Sequence, residues 1–241
     1  TQLIVSNTFA NTGELISDNG MTVTAGNIHQ NGTLTGAKNL SIHAADVTTG
    51  AGSLTQSAGA LTMNADAITL AGEVWAGGDL AFTNTTLNTL DGALTQSDGS
   101  LSLSAEQASL AGTQIAAKNL DVDITNALNH SGKSRGTNAT IGATTLSNSG
   151  TLLADALSLT ANTLDNSGAL AGTDTLKLNT SALTNQAIGS VYSAGDLTLN
   201  IPQITNKGVL TSDKTLALNT TTLDNGGQIA ADSLTVKSTT L

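Results

Sequence analysis

The chain has 241 residues, 39% of them hydrophobic but only 2% aromatic and 11% charged, with a formal net charge of −10. A single arginine, Arg135, and the lack of any basic run leave no footprint for nucleic acid, and no apolar run is long enough to span a bilayer, so neither partner is expected. With no cysteine there is no disulfide framework, and so few aromatics exclude the thick core of an ordinary globule and point to a body about one side chain deep.

From the first residues the chain repeats itself. Thr1 to Thr49 carries the turn signals Asn11-Thr12-Gly13 and Gln30-Asn31-Gly32. A block of 20-residue units follows: Leu54-Thr55-Gln56-Ser57 returns as Leu94-Thr95-Gln96-Ser97, and Leu70-Ala71-Gly72 returns as Leu110-Ala111-Gly112. Aligned on Gly13, Gly32, Gly52, Gly72, Gly92, Gly112, Gly132, Gly150, Gly168, Gly189, Gly208 and Gly227, the steps run from 18 to 21 residues. Two positions after the glycine stands an aliphatic residue, among them Leu34, Leu54, Val74, Leu94, Leu152 and Val191. An alternating pair comes next, as in Leu61/Met63, Leu80/Phe82 and Leu197/Leu199, and a third aliphatic such as Ile68 or Ile204 closes the unit. Asn129 to Thr145 fits least well: Ser134 replaces the aliphatic, and His130, Lys133 and Arg135 cluster there, so a loop pushed out of the body is expected. From Leu146 onward Asn148, Asn166, Asn206 and Asn225 each sit two residues before the glycine, and their stacked amides are expected to form a turn ladder.

Apolar and polar residues alternating over short Thr-, Val-, Ile- and Leu-rich runs describe strands with one buried face. Three short strands in each unit of about 20 residues describe one coil of a parallel β-helix. The fold class expected is therefore all-β, a solenoid of about twelve coils forming a rod roughly 55–60 Å long. One segment of a larger protein is expected to fill residues 1–241, with mostly 20-residue coils over 1–128, an irregular coil or loop over 129–145, and Asn-x-Gly coils over 146–241. Neither end carries a capping helix or an opening signal peptide, which is why a longer parent is expected.

The pattern Leu-x-Asn-x-Gly-x-Leu, then Ala-Gly-Asp-Leu-x-Leu (Ala194 to Leu199), then Leu-x-Asn again resembles the filamentous-haemagglutinin repeat of bacterial two-partner secretion exoproteins. That family includes haemagglutinin adhesins, contact-dependent growth inhibition effectors and haemolysins. The resemblance covers nearly the whole chain and implies a right-handed helix and export through an outer-membrane transporter partner. It also implies a secreted, cell-surface location and a shaft that presents binding or toxic regions away from the cell.

Chemistry-bearing residues are sparse. His29 and His43 lie at different phases of their coils and cannot stack as metal ligands. The tandem nonapeptide of calcium β-rolls is absent, and Asp79 and Asp196 read as turn caps. Asp121 and Asp123, with Lys118 nearby, form the best carboxylate pair for a polysaccharide-acting β-helix enzyme, yet one pair on an exposed strand is a weak basis. Thr positions drift between coils, which argues against an ice-binding ladder. The expectation is a non-enzyme with no catalytic, cofactor or metal residues and no small-molecule substrate. Candidate contacts to a partner such as a cell-surface receptor are Trp75 and Tyr192, both expected to point outward, and His130, Lys133 and Arg135 in the irregular coil.

Overall fold

Each run of three or four alternating residues becomes a strand, and each Gly-, Asn- or Asp-bearing step between runs becomes a turn. The computed structural model describes Thr1–Leu241 and contains strands and turns with no helix. Successive strands form three faces of a solenoid. The first face begins with Gln2–Ile4, Met21–Thr24 and Leu40–His43, the second with Thr8–Asn11, Asn27–Gln30 and Asp46–Thr49, and the third with Glu14–Ser17, Thr33–Gly36 and Leu54–Ser57. All pairings are parallel and run from one coil to the next, as in Met21↔Leu40↔Leu61↔Leu80. About thirteen coils stack this way.

Alternation decides what is inside. On the first face Val23, Ile42, Met63, Phe82, Leu103, Val122, Ile141, Leu159, Leu199 and Leu218 form one buried column. On the second, Ile28, Val47, Ile68, Leu87, Leu128, Leu164, Leu183 and Ile204 form another. Because every coil hydrogen-bonds to the next through its backbone and stacks like on like, the core is continuous along the axis.

Two expectations are corrected here. The aliphatic seat after the glycine slips by one residue at Gly52 and Gly92. These two glycines occupy the third place of four-residue turns closed by Ser53 N to Gly50 O and by Ala93 N to Leu90 O, with φ of 78° and 82°. A positive φ at that place favours glycine. The buried seat therefore falls to Thr55 and Thr95, while Leu54 and Leu94 face outward, half-buried. The second correction concerns Asn129 to Thr145, which is not pushed out. Lys133–Gly142 is one strand, paired with Thr113–Ile115 and Asn119–Asp123 below and with Thr151–Thr160 above. An extruded loop needs surplus residues, and the step from Gly132 to Gly150 is 18, among the shortest in the chain. Here the strands run on past the usual turns: Asn119–His130 from first to second face, Lys133–Gly142 from third to first, and Thr151–Asn166 across all three.

Candidate functional site

The last inward position of the second face is polar in most coils. Running up the rod it holds Asn11, Gln30, Thr49, Leu70, Thr89, Leu110, His130, Asn148, Asn166, Asn185, Asn206 and Asn225. The asparagines form the ladder the sequence suggests, but inside the rod rather than on a turn. Nδ2 of Asn148, Asn166, Asn185 and Asn206 each donates at 2.8 Å to Oδ1 of the asparagine above. The same nitrogens reach the carbonyl of the following glycine and one carbonyl of the next coil, such as Gly168 O and Ser190 O for Asn166. Buried amides placed so are satisfied in full, which is what burial of a polar group demands.

His130 continues this ladder. It is 1% exposed and points inward, so the expectation of a surface contact there is corrected. Its Nδ1 meets Asn148 Oδ1 at 2.7 Å and its Nε2 meets Ser134 Oγ at 2.8 Å. Ser134 contacts Gln114 Oε1 at 2.7 Å, and Gln114 Nε2 reaches Thr89 Oγ1 at 3.0 Å. The polar line thus detours round Leu110 through the third-face seat held by Gln114 and Ser134. Asn148 Oδ1 can only accept, so the ring donates from Nδ1. A neutral ring then accepts at Nε2 from Ser134, and Gln114 meets Ser134 through its amide nitrogen. A protonated ring donates at Nε2, and Gln114 meets Ser134 through Oε1. The phase of His130, two residues before Gly132 as Asn148 is before Gly150, carries this signal in the sequence.

Burial lowers the His130 pKa below 6.5, and the hydrogen bond to Asn148 raises it in part. The unfolded chain therefore binds the proton first as pH falls. Stability from the neutral ring is complete above about pH 6.5 and is lost as pH drops toward the depressed folded value. Thermal melts from pH 7.5 to pH 5.5 should show a falling Tm in the native chain and a flatter profile in His130→Asn, which extends the amide ladder. Parallel profiles for the two would show that His130 is not the titrating group.

Lys133 and Arg135 flank Ser134 on the same strand and so point outward, both exposed. Arg135 lies in one column with Trp75 and Tyr192, through Trp75↔Gln96↔Ile115↔Arg135↔Leu153↔Ala171↔Tyr192. Four of the five candidate residues, all but His130, share the third face. The Trp75 indole lies against Gly77 of its own turn. Tyr192 instead reaches the next coil, its hydroxyl donating to Asp213 Oδ2 at 2.6 Å, and that bond raises its pKa.

Asp79 and Asp196 cap turns of the coil above rather than their own. Asp79 Oδ1 accepts from Ser100 N at 2.8 Å and Asp196 Oδ1 from Thr215 N at 3.0 Å, and the latter bond lowers the Asp196 pKa. Asp121 and Asp123 stand exposed on the first face, where Asp123 borders a shallow concavity of about 660 Å³ lined mainly by Thr and Asn. No three His, Cys, Asp or Glu side chains converge, and no helix is long and apolar enough to cross a membrane.

No family model matches the chain, and no solved structure matches it. Among curated proteins it is similar to "tRNA nuclease CdiA" of Escherichia coli (strain STEC_O31), 44% identical over 240 residues, covering 100% of this chain and 7% of the relative. It is 43% identical over 240 residues to "tRNA nuclease CdiA" of Escherichia coli O6:K15:H31 (strain 536 / UPEC), with the same coverage. It is 44% identical over 237 residues to "Toxin CdiA" of Escherichia coli, covering 98% of this chain and 8% of the relative. The chain thus spans less than a tenth of the relatives it matches. These relatives agree with the resemblance of the repeat to contact-dependent growth inhibition effectors. They also correct the expectation of a non-enzyme, because two of them are named as nucleases acting on tRNA.

Proposed function

We propose that this CdiA-like segment is a length of rigid shaft in a large secreted bacterial exoprotein of the contact-dependent inhibition kind. The shaft stands away from the producing cell and holds binding or toxic regions at a distance, and a tRNA nuclease activity belongs to that whole protein. Its partners are the outer-membrane transporter that exports it and a receptor on the target cell. The observation that carries the reading is the parallel pairing, which ties each coil to the next on at least two faces from Gln2 to Thr240 without a linker, with register shifts only at Ala105/Gln107 and Ala154/Ala156. Nearest-neighbour stability of this kind lets folding advance coil by coil as a chain leaves a pore.

A shaft tolerates a change of length but not of phase. Removing residues 151–168 from the full-length protein deletes one whole coil and joins Gly150 to Ala169 in register. It also sets Asn148 beneath Asn185. Secretion and target-cell inhibition should stay within about twofold of the native level, since each coil contacts only its neighbours. Removing residues 151–160 alone leaves half a coil, with the second-face strand Thr163–Asn166 following Gly150 where a third-face strand belongs, and should abolish secretion. Equal loss from both deletions would show that this coil does more than hold distance.

A further inference from the structure

The three faces of the rod differ in what they show to solvent. Outward positions of the first face are Thr22, Ser41, Thr62, Ala81, Ser102 and their like, and those of the second are His29, Thr48, Thr69, Asn88 and Ser109. None of these is a large apolar residue, and on the first face only Ile4 in the N-terminal coil, 68% exposed, is an outward one. The third face instead carries Leu54, Trp75, Leu94, Ile115, Leu153 and Tyr192 outward, each half-buried. Ile16, 57% exposed, lies in the same column, and Leu90 and Ile188, 47% and 84% exposed, stand in the turns along its edge. An apolar stripe on a rod otherwise coated with Thr, Ser and Asn marks a contact surface.

Its charges are arranged about a centre. Glu73 and Trp75 occupy the first and third positions of one strand, and Lys133 and Arg135 occupy the same positions three coils further on. A twofold axis along the strand direction, midway between the coils of Leu94 and Thr113, keeps position along the strand and reverses coil order. It sets Glu73 against Lys133 of a second copy and Trp75 against Arg135, an ion pair and a cation–π contact, each made twice. At the rim the same operation brings Asp98 toward Lys118 and Lys38 toward Asp174, and on the stripe it brings Ile16 to Tyr192. Four of the chain's eight cations are thereby matched, and no like charges meet among these pairs.

We infer that the third face is a self-association surface on which a second copy of this chain packs antiparallel, Glu73 opposite Lys133 and Trp75 opposite Arg135. Ten coils at about 4.8 Å and a strand width of about 13 Å cover roughly 600 Å² on each copy, or roughly 1,200 Å² in all. That is the low end of specific interfaces, so the dimer forms and dissociates with concentration. The inference stands apart from the shaft reading, because paired and single rods hold distance equally well.

Sedimentation of the 241-residue chain from about 10 to 500 micromolar should show the mass doubling, with a blue shift in the emission of Trp75, its one tryptophan. Glu73→Lys alone and Lys133→Glu alone should each weaken association at least tenfold, since each places like charges together twice. The double variant Glu73→Lys/Lys133→Glu should recover the native midpoint. Circular dichroism fixes that each variant is folded. A chain monomeric throughout overturns the inference. So does association without a Trp75 shift, or a folded double variant as weak as either single one.

Discussion

Leu199→Asp is expected to unfold the C-terminal coils and stop export of the full-length protein. Leu199 is fully buried on the first face, paired with Leu218 above. Loss of a buried leucine removes about 2–3 kcal/mol, and an unpaired carboxylate in its place adds several more, for a total of about 5 kcal/mol or more. In a solenoid that cost is met locally, by the damaged coil and those stacked on it. Hydrogen exchange should show protection lost over Leu197–Asn225 and kept over Leu40–Ala76. Thr198→Asp, one residue away and exposed, should change stability by less than about 0.5 kcal/mol. Similar exchange in the two variants would mean that the alternation on this strand has been assigned to the wrong side.

The period and the alternation made most of the fold legible, because Leu61/Met63 or Leu197/Leu199 can be buried together only on a strand. What misled was the use of glycine as a ruler. Glycine marks where backbone comes close or φ turns positive, and at Gly52 and Gly92 the second requirement moved it one residue from its neighbours. That slip hid the outward Leu54 and Leu94, and with them the stripe on the third face. Trp75, Arg135 and Tyr192 are separated by 60 and 57 residues, three coils in each case. Coil lengths that vary from 18 to 21 leave such alignment uncertain until strand pairing fixes it. Around Asn129 to Thr145 the polar composition outweighed the phase. Ser134 and His130 are polar and inside because they satisfy each other, and a pattern that scores only apolar residues reads such a pair as a gap.

The asparagine ladder shows how much that mutual satisfaction matters, and Asn166→Ala tests it at its centre. Asn166 is fully buried; its Oδ1 accepts from Asn148 and its Nδ2 donates to Asn185, Gly168 O and Ser190 O. Truncation leaves Asn185 Oδ1 and two carbonyls short of a donor, at a cost of about 2–4 kcal/mol. Leucine is not forbidden in this column, since Leu70 and Leu110 occupy it. There, however, the neighbouring Thr49 and Thr89 turn to Gly72 N and Gly112 N for partners. No such alternative lies beside Asn166, so Asn166→Leu should also destabilise, whereas Asn225→Ala, exposed in the last rung, should cost less than about 1 kcal/mol. Asn166→Asp should be the most damaging at neutral pH, where a carboxylate faces Asn185 Oδ1 and two carbonyls. It should recover in part as pH falls through the raised pKa of the new acid, because only the protonated form can donate upward. Urea midpoints measured across this series should rank by the number of buried groups left unpaired. Equal costs at Asn166 and Asn225 would mean that the coils are held by backbone and leucine alone, with the amides contributing register and little energy.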